Sequence, residues 1–548
     1  MTNMKLHAFI VLLVIIFNGC KMKEKADFIL INGLVYTVDP AFTVKQAFAV
    51  TNGLFLSTGS NEEILESFDS DLVIDAGGKP VFPGLIDGHC HFYGYALNQH
   101  QAANLKGTRS FDEVLQLLRS FHEDHPFDWI LGRGWDQNDW EVKEFPDNSI
   151  LDQLFPENPV VLTRVDGHAM LANSEALRRA GITAETKVDG GEVILKNGKL
   201  SGMLIDNAAD LMKGAIPEPE NLITESALID AQPDCFKVGL TSLVDAGLDY
   251  ETILMIDSLQ QSGKLKMRIN AMLSPTKENI NKFVEKGVFR KEKLSVSSIK
   301  LYADGALGSR GALLLEPYSD DPGNTGLLMS PPDYFRDILV KAYENGFQVN
   351  THCIGDSANR MILKLYGEVL KVPNDRRWRI EHAQVVHPDD FQLFARFNII
   401  PSIQSTHCTS DMNWAESRLG TERVKGAYAY KKLLAQNGWL VNGTDFPIEE
   451  INPLLTFFAA VARVSENGDP KGGYQMENAL SREEALRSMT IWAAKGSFEE
   501  DMKGSIEPGK FADFIILEKD IMIVNPAEIP SIKVLKTYID GELVFESK

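Results

Sequence analysis

Short apolar runs broken by turn residues open the mature part of the chain. Phe28-Ile29-Leu30-Ile31 is followed by Asn32-Gly33 and then by Leu34-Val35-Tyr36. Asn-Gly between apolar runs predicts a hairpin, because both residues tolerate a positive φ. Thr51-Asn52-Gly53-Leu54 suggests a second hairpin. Near the other end, Ala512 to Leu517 reads as a strand, and Tyr538-Ile539-Asp540-Gly541-Glu542-Leu543-Val544 as a further hairpin. Neither terminal segment has enough strands for its own core. Together, residues 26–82 and 501–548 predict two parts of one composite β-sandwich.

Between them, apolar runs ending on polar residues alternate with helical patterns. The candidate strands end near His91, Asp245, Leu273, Asp304, His352, His382, Gln404 and Asp445, eight in all. Eight strands with intervening helices is the count for a closed barrel, here over residues 83–500. Ser330-Pro331-Pro332 opens a helix that Gly346 closes, and Ser481 with Glu484 makes a capping box. The stretch from about 92 to 238 is too long for one crossover. It reads as an insertion after the first strand, with its own strands and helices, that roofs the active site. The fold class expected is α/β: a (β/α)8 TIM barrel with a composite β-sandwich from the N- and C-terminal segments.

The first twenty residues follow another logic. Lys5 precedes an apolar run from Ala8 to Phe17, and Asn18-Gly19-Cys20 follows. The run is too short to span a bilayer and matches a signal-peptide core. A small residue before Cys resembles a bacterial lipoprotein cleavage site. Residues 1–20 are therefore expected to be a lipoprotein-type signal peptide, with Cys20 the lipidated mature N-terminus. Export to the bacterial cell envelope, periplasm or outer membrane, with membrane attachment through that lipid, follows from this reading. At 548 residues, one large domain and a smaller one are expected, and 44% hydrophobic with 24% charged residues suits a soluble enzyme. A formal net charge of -21 argues against nucleic acid as a partner. Cys90, Cys235, Cys353 and Cys408 show no metal-type spacing and read as buried small hydrophobes.

The chemistry starts at Asp87-Gly88-His89-Cys90-His91. On a strand, residues i and i+2 face the same way, so His89 and His91 project together into the barrel. Two imidazoles at a strand end suit a zinc-like ion. His352, His382 and Asp445 each terminate a further apolar run, on the face where barrel active sites are built. Lys300 lies inside the otherwise apolar strand Ser298-Ile299-Lys300-Leu301-Tyr302, where an unpaired ammonium is costly. Two readings stand: a salt bridge to Asp304 or Asp245, or a depressed pKa that lets the amine react with CO₂. The carbamate so formed would be an anion able to bridge two metals.

At these residues the chain resembles the amidohydrolase superfamily, and more narrowly amidohydrolase family 3, the branch of N-substituted formamide deformylase. The likeness covers nearly the whole mature chain. It includes Pro83 to His91, Gly132-Arg133-Gly134-Trp135-Asp136, Asp166-Gly167-His168, Asn173-Ser174 and Lys300 to Arg310. It continues through Gly323 to Gly326, Thr351-His352, Gly355-Asp356, Glu381-His382, Gly443-Thr444-Asp445 and Pro508 to Asp513. The resemblance implies that the barrel is a distorted one, and that His89, His91, Lys300, His352, His382 and Asp445 hold one or two divalent ions, zinc fitting best. It also implies a non-peptide C–N bond in a small amide-type substrate, an N-formyl or N-acyl amine, cleaved by metal-activated hydroxide with Asp445 as proton shuttle. His168 and Arg310 are expected to assist at the carbonyl oxygen, with Arg310 also placed for an anionic substrate group. Arg133, Trp135, Asp136 and His407 are candidate substrate contacts. The alternatives are a same-fold metallohydrolase acting on an ester, lactone or cyclic ureide, and a catalytically silent surface-binding lipoprotein.

Overall fold

A computed structural model describes residues 23–125, 127–217 and 221–548, so the expected signal peptide, with Cys20, lies outside the described residues. Eight strands run parallel in one sheet: β1 Leu85–Cys90, β2 Leu240–Leu248, β3 Arg268–Leu273, β4 Leu294–Tyr302, β5 Gln348–Cys353, β6 Arg379–His382, β7 Ile400–Ile403 and β8 Val441–Asn442. Each pairs with its sequence neighbour in this order. The eight expected strand ends fall at or within a few residues of these eight strands. Apolar runs form them because a barrel strand is covered on both sides, by helices outside and opposing strands inside. The two-residue period divides their chemistry. Cys90 and Cys353 face the helices in the main core, while His89 and His352, one residue earlier, face inward. All four described cysteines are free and buried.

The barrel closes without a regular ladder between β8 and β1. Two backbone bonds do it: Asp445 N–H donates to the His89 carbonyl and His91 N–H to the Phe446 carbonyl, each at 2.8 Å. The approach is so close that a Cβ on Gly88 would stand 2.2 Å from Val441 Cγ1, and one on Gly443 2.4 Å from His89 N. Backbone contact of this kind is why glycine is needed on both sides of the seam. Asp87 clamps the same seam, accepting from Thr444 N at 3.0 Å, Thr444 Oγ1 at 2.7 Å and His89 N at 3.1 Å. Closure thus brings His89 and Asp445 side by side, although 356 positions of chain separate them.

Residues 102–206 form a separate six-stranded mixed sheet after β1. Ile130, Val160, Leu162 and Leu171 face a core shared with helix Phe111–Asp124. The long helix Asn221–Lys237 returns the chain to β2. Ser481 caps helix Arg482–Ser488 with the reciprocal Glu484 contact, and Pro332 opens the helix that ends before Gly346.

The terminal segments make a four-stranded and a six-stranded sheet that share one core. Phe28, Phe48 and Phe55 meet Val81, Phe514 and Tyr538 there. In the larger sheet Phe514–Leu517 pairs antiparallel with Pro80–Pro83, which joins the two ends of the chain. Asn52-Gly53 and Asp540-Gly541 turn hairpins with both residues at positive φ. Asn32-Gly33 does not. Phe28–Ile31 lies in one sheet and Leu34–Tyr36 in the other, so the expected hairpin is instead a crossing between sheets. Asn32 alone takes a positive φ, and Gly33 N–H bonds Gln46 O rather than closing a two-residue turn.

Candidate metal centre

At the C-terminal ends of β1, β4, β5, β6 and β8, buried polar side chains converge. His89 is fully buried, and its Nδ1 lies 2.5 Å from Glu381 Oε2. A carboxylate only accepts, so Nδ1 carries the proton and the Nε2 lone pair faces the barrel mouth. That Nε2 lies 3.0 Å from Lys300 Nζ and 3.6 Å from Asp445 Oδ1. His91 Nε2 approaches the same Oδ1 at 3.3 Å. On the other side of the carboxylate, Oδ2 lies 3.1 Å from His407 Nε2 and 4.0 Å from His382 Nδ1.

Two three-donor groups result, His89 with His91 and Asp445, and His382 with His407 and Asp445. In each, the donor atoms lie within 4.8 Å of one another, and Asp445 belongs to both. His382 Nδ1 is buried with no hydrogen-bonding partner among the described residues. An orphaned buried nitrogen beside a shared carboxylate is what a cation would satisfy. Imidazole with carboxylate suits a transition ion of the zinc type, so the residues fit the expected group.

The electrostatics favour donation by all the rings of the donor groups but His407, whose pKa burial lowers but the hydrogen bonds to Asp445 and Glu449 raise well above the ordinary value. Burial, reinforced by Lys300, lowers the His89 pKa to about 4, and burial lowers those of His91, His352 and His382. These rings are therefore neutral at pH 7, with lone pairs available. Burial pushes the Asp445 carboxyl up, but the hydrogen bonds from His407 and His91 and the imidazoles of His89 and His382 hold it well below the carboxylate range. Glu381 is likewise pushed up by burial and held at about 2 by the Arg379 guanidinium and His89. Arg379 Nε donates to Glu381 Oε1 at 2.6 Å, completing a buried Arg–Glu–His chain behind the site.

Lys300 forms no ion pair with a carboxylate among the described residues. Asp304, one expected partner, accepts instead from the backbone N–H groups of Leu313, Ile354 and Gly355. Asp245, the other, accepts from Tyr93 N. The Lys300 ammonium lies 4.9 Å above the Tyr302 ring, and burial lowers its pKa to about 8.

The remaining expected residues separate into those at the cavity and those away from it. His352 lines the cavity, but its Nε2 turns to the Gly305 carbonyl at 3.5 Å, so it stands beside the two donor groups. His407, expected as a substrate contact, belongs to one donor group, and its Nδ1 is held by Glu449 at 2.9 Å. His168 reaches the cavity from the inserted sheet, with Nδ1 2.8 Å from Asp206 and its ring 5.0 Å from that of His352. Asp136 lines it as well, ion-paired with the buried Arg164.

Two expectations fail. Trp135 is buried away from the cavity, donating to the Leu162 carbonyl and stacking on Trp140, because its ring completes the core of the inserted sheet. Arg310 does not line the cavity. Its guanidinium is paired with Asp320, at 3.0 and 3.2 Å, outside the cavity where the carbonyl oxygen or a substrate anion was expected to meet it. Glu381, Arg379, Glu449 and Arg164 received no role from the sequence. Arg379 and Glu381 had a signal: two charges at i and i+2 in a buried strand, the same spacing as His89 and His91.

Above the donors lies a cavity of about 250 Å³, bordered by His168, His352, His407 and Asp445. It adjoins a second of about 530 Å³ between the inserted sheet and the barrel, sharing His91, Asp166, His168 and Tyr302 with it.

A parallel barrel gathering imidazoles and a carboxylate at its strand ends defines the metallohydrolase class. The chain belongs to the amidohydrolase family, whose model matches residues 72–545. It is 33% identical over 524 residues to the protein YtcJ of Bacillus subtilis (strain 168), covering 94% of this chain and 98% of that one. It is 26% identical over 553 residues to N-substituted formamide deformylase of Arthrobacter pascens, covering 96% and 99%. Among solved structures, an uncharacterized metal-dependent hydrolase from Pyrococcus horikoshii OT3 superposes with a TM-score of 0.74 at 29% identity, over 91% of this chain and 99% of that one.

Proposed function

We propose that the protein is a metal-dependent amidohydrolase that cleaves a non-peptide C–N bond of a small amide-type substrate. The observation carrying this reading is the single carboxylate of Asp445 shared by two histidine donor groups beneath a cavity. The likeness to N-substituted formamide deformylase supports an amide-type bond. His89, His91 and Asp445, with His382, His407 and neighbouring Lys300 and His352, would hold one or two zinc-type ions. Such an ion, when bound, supplies a nucleophilic water near neutral pH and polarises a carbonyl. Asp445 takes a proton from the attacking water and passes it to the departing nitrogen, a role its position between the two donor groups suits. His168, anchored by Asp206, faces the cavity from above and is placed to donate to the carbonyl oxygen.

The test joins elemental analysis of the purified protein to a panel of N-formyl amines, N-acyl amino acids, hydantoins, esters and lactones. Bound metal and amide turnover that is lost on chelation and regained on metal addition are expected. Zero bound metal after careful preparation, or turnover confined to esters and lactones, would overturn the reading.

We also propose that Lys300 carries a carbamate in the metal-loaded protein, since its buried Nζ has no carboxylate partner and stands among the donors. Metal-free protein given zinc in CO₂-free buffer should regain less than about a tenth of the activity regained with bicarbonate present. Full recovery without bicarbonate would exclude the carbamate.

A further inference from the structure

The inserted sheet turns a cation toward the metal centre. In strand Ile130–Trp135, Ile130 faces the core of the inserted sheet. Leu131 and Arg133 face the other way, in register with Val161 and Thr163 of the neighbouring strand. That face, with Leu97, Met170 and Ile216, walls the cavity of about 530 Å³. The carboxylates lining the cavity are already matched. Asp166 is paired with Arg164, Asp206 with His168 at 2.8 Å, and Asp210 with Lys213 at 2.7 Å.

Arg133 is left over. Its Nε is buried without a hydrogen-bonding partner, and its guanidinium forms no hydrogen bond or ion pair among the described residues. Gly167 leaves the guanidinium uncovered: a Cβ there would touch Nη2 at 3.5 Å. Arg133 is half-buried, and a guanidinium whose Nε is buried and unbonded is stabilised by an anion that joins it. The planar fork matches a carboxylate bidentately, and one cation left over beside matched carboxylates suits one negative charge rather than a phosphate dianion.

We propose that Arg133 is the recognition residue for a substrate carboxylate, so that the enzyme acts on N-acyl or N-formyl derivatives of apolar amino acids. This rests on the amidohydrolase reading above and narrows it to an anionic substrate class. The scissile bond then lies at the histidines, while the carboxylate and apolar side chain occupy the adjoining cavity.

The experiment is calorimetric titration of the metal-loaded protein with hexanoate and with hexanol, which share an apolar chain and contain no C–N bond. Hexanoate is expected to bind about 30-fold more tightly than hexanol. Arg133→Met should abolish that preference, and Arg133→Lys should retain part of it. Equal binding of the two probes to the parent protein overturns the proposal. So does a preference that survives Arg133→Met, which would place the carboxylate on the metal alone. If Arg133→Met does not fold, Arg133→Lys decides: a preference undiminished from the parent's overturns the proposal and a reduced one supports it. Binding needs no turnover, so failure here leaves the hydrolase reading to its own assay, and the converse.

Discussion

Asp445→Asn is expected to lower kcat by about a thousandfold to ten-thousandfold while bound metal falls only modestly. The asparagine keeps an oxygen in the same place, so the donor groups retain their shape. It loses the negative charge and the capacity to take and return a proton. Asp445 touches four imidazoles, those of His89, His91, His382 and His407, at 3.1 to 4.0 Å. One substitution therefore removes the anion at the middle of the cluster. Metal content by elemental analysis and kcat at saturating metal must be measured on the same preparation. Activity within tenfold of the parent would remove Asp445 from proton transfer, and joint collapse of metal and activity would reduce it to a ligand.

The second large effect is expected one layer behind. Glu381→Ala strips the buried Arg379 of its ion partner and frees His89 Nδ1. Breaking a buried pair by deleting one member leaves an uncompensated charge, costing about 3–5 kcal/mol. Loss of the carboxylate that orients a ligand imidazole weakens metal affinity about 10- to 100-fold. Denaturant unfolding and competitive metal titration read the two effects separately. Glu381→Gln, which keeps the shape and an acceptor for Arg379, should cost less in stability. A loss below about 1 kcal/mol with unchanged affinity would show that neither Arg379 nor His89 depends on it. The pH dependence follows from the sign of the shift. The folded pKa of about 2 lies below the ordinary 4.5, so the Glu381 contribution is complete above pH 4.5 and is lost as pH falls toward 2.

The barrel was legible because six of the eight inner strands announce their end with a charged or imidazole residue after an apolar run, Leu273 and Gln404 being the exceptions. His352, His382 and Asp445 do so without any alignment, and the structure brings them to one rim. The insertion was legible by length alone. Which way its side chains point was not, since that depends on packing between distant segments. Trp135 ends a strand and Asp136 follows it directly, yet one fills a core and the other lines the cavity. Arg310 shows a similar limit, because its partner Asp320 is in plain view in the sequence but competes with any number of other anions. Asn32-Gly33 failed because local turn chemistry does not say to which sheet the next strand will add. The Arg379–Glu381 pair could have been found by the alternation that found His89 and His91.

The six-stranded sheet weaves the two extremities of the polypeptide into one ladder, and this orders events during synthesis. Strand Pro80–Pro83 leaves the ribosome early but must wait for Phe514–Leu517 before its antiparallel edge is paired. Arg268, at the start of β3, waits equally long for the buried carboxylate of Asp513, 2.7 Å away in the finished fold. Until then the newborn chain exposes an open β-edge and an unneutralised guanidinium, a combination prone to association. Maturation of this molecule is therefore a post-synthetic act, and a chain halted before residue 514 cannot complete the sheet however well its barrel has formed.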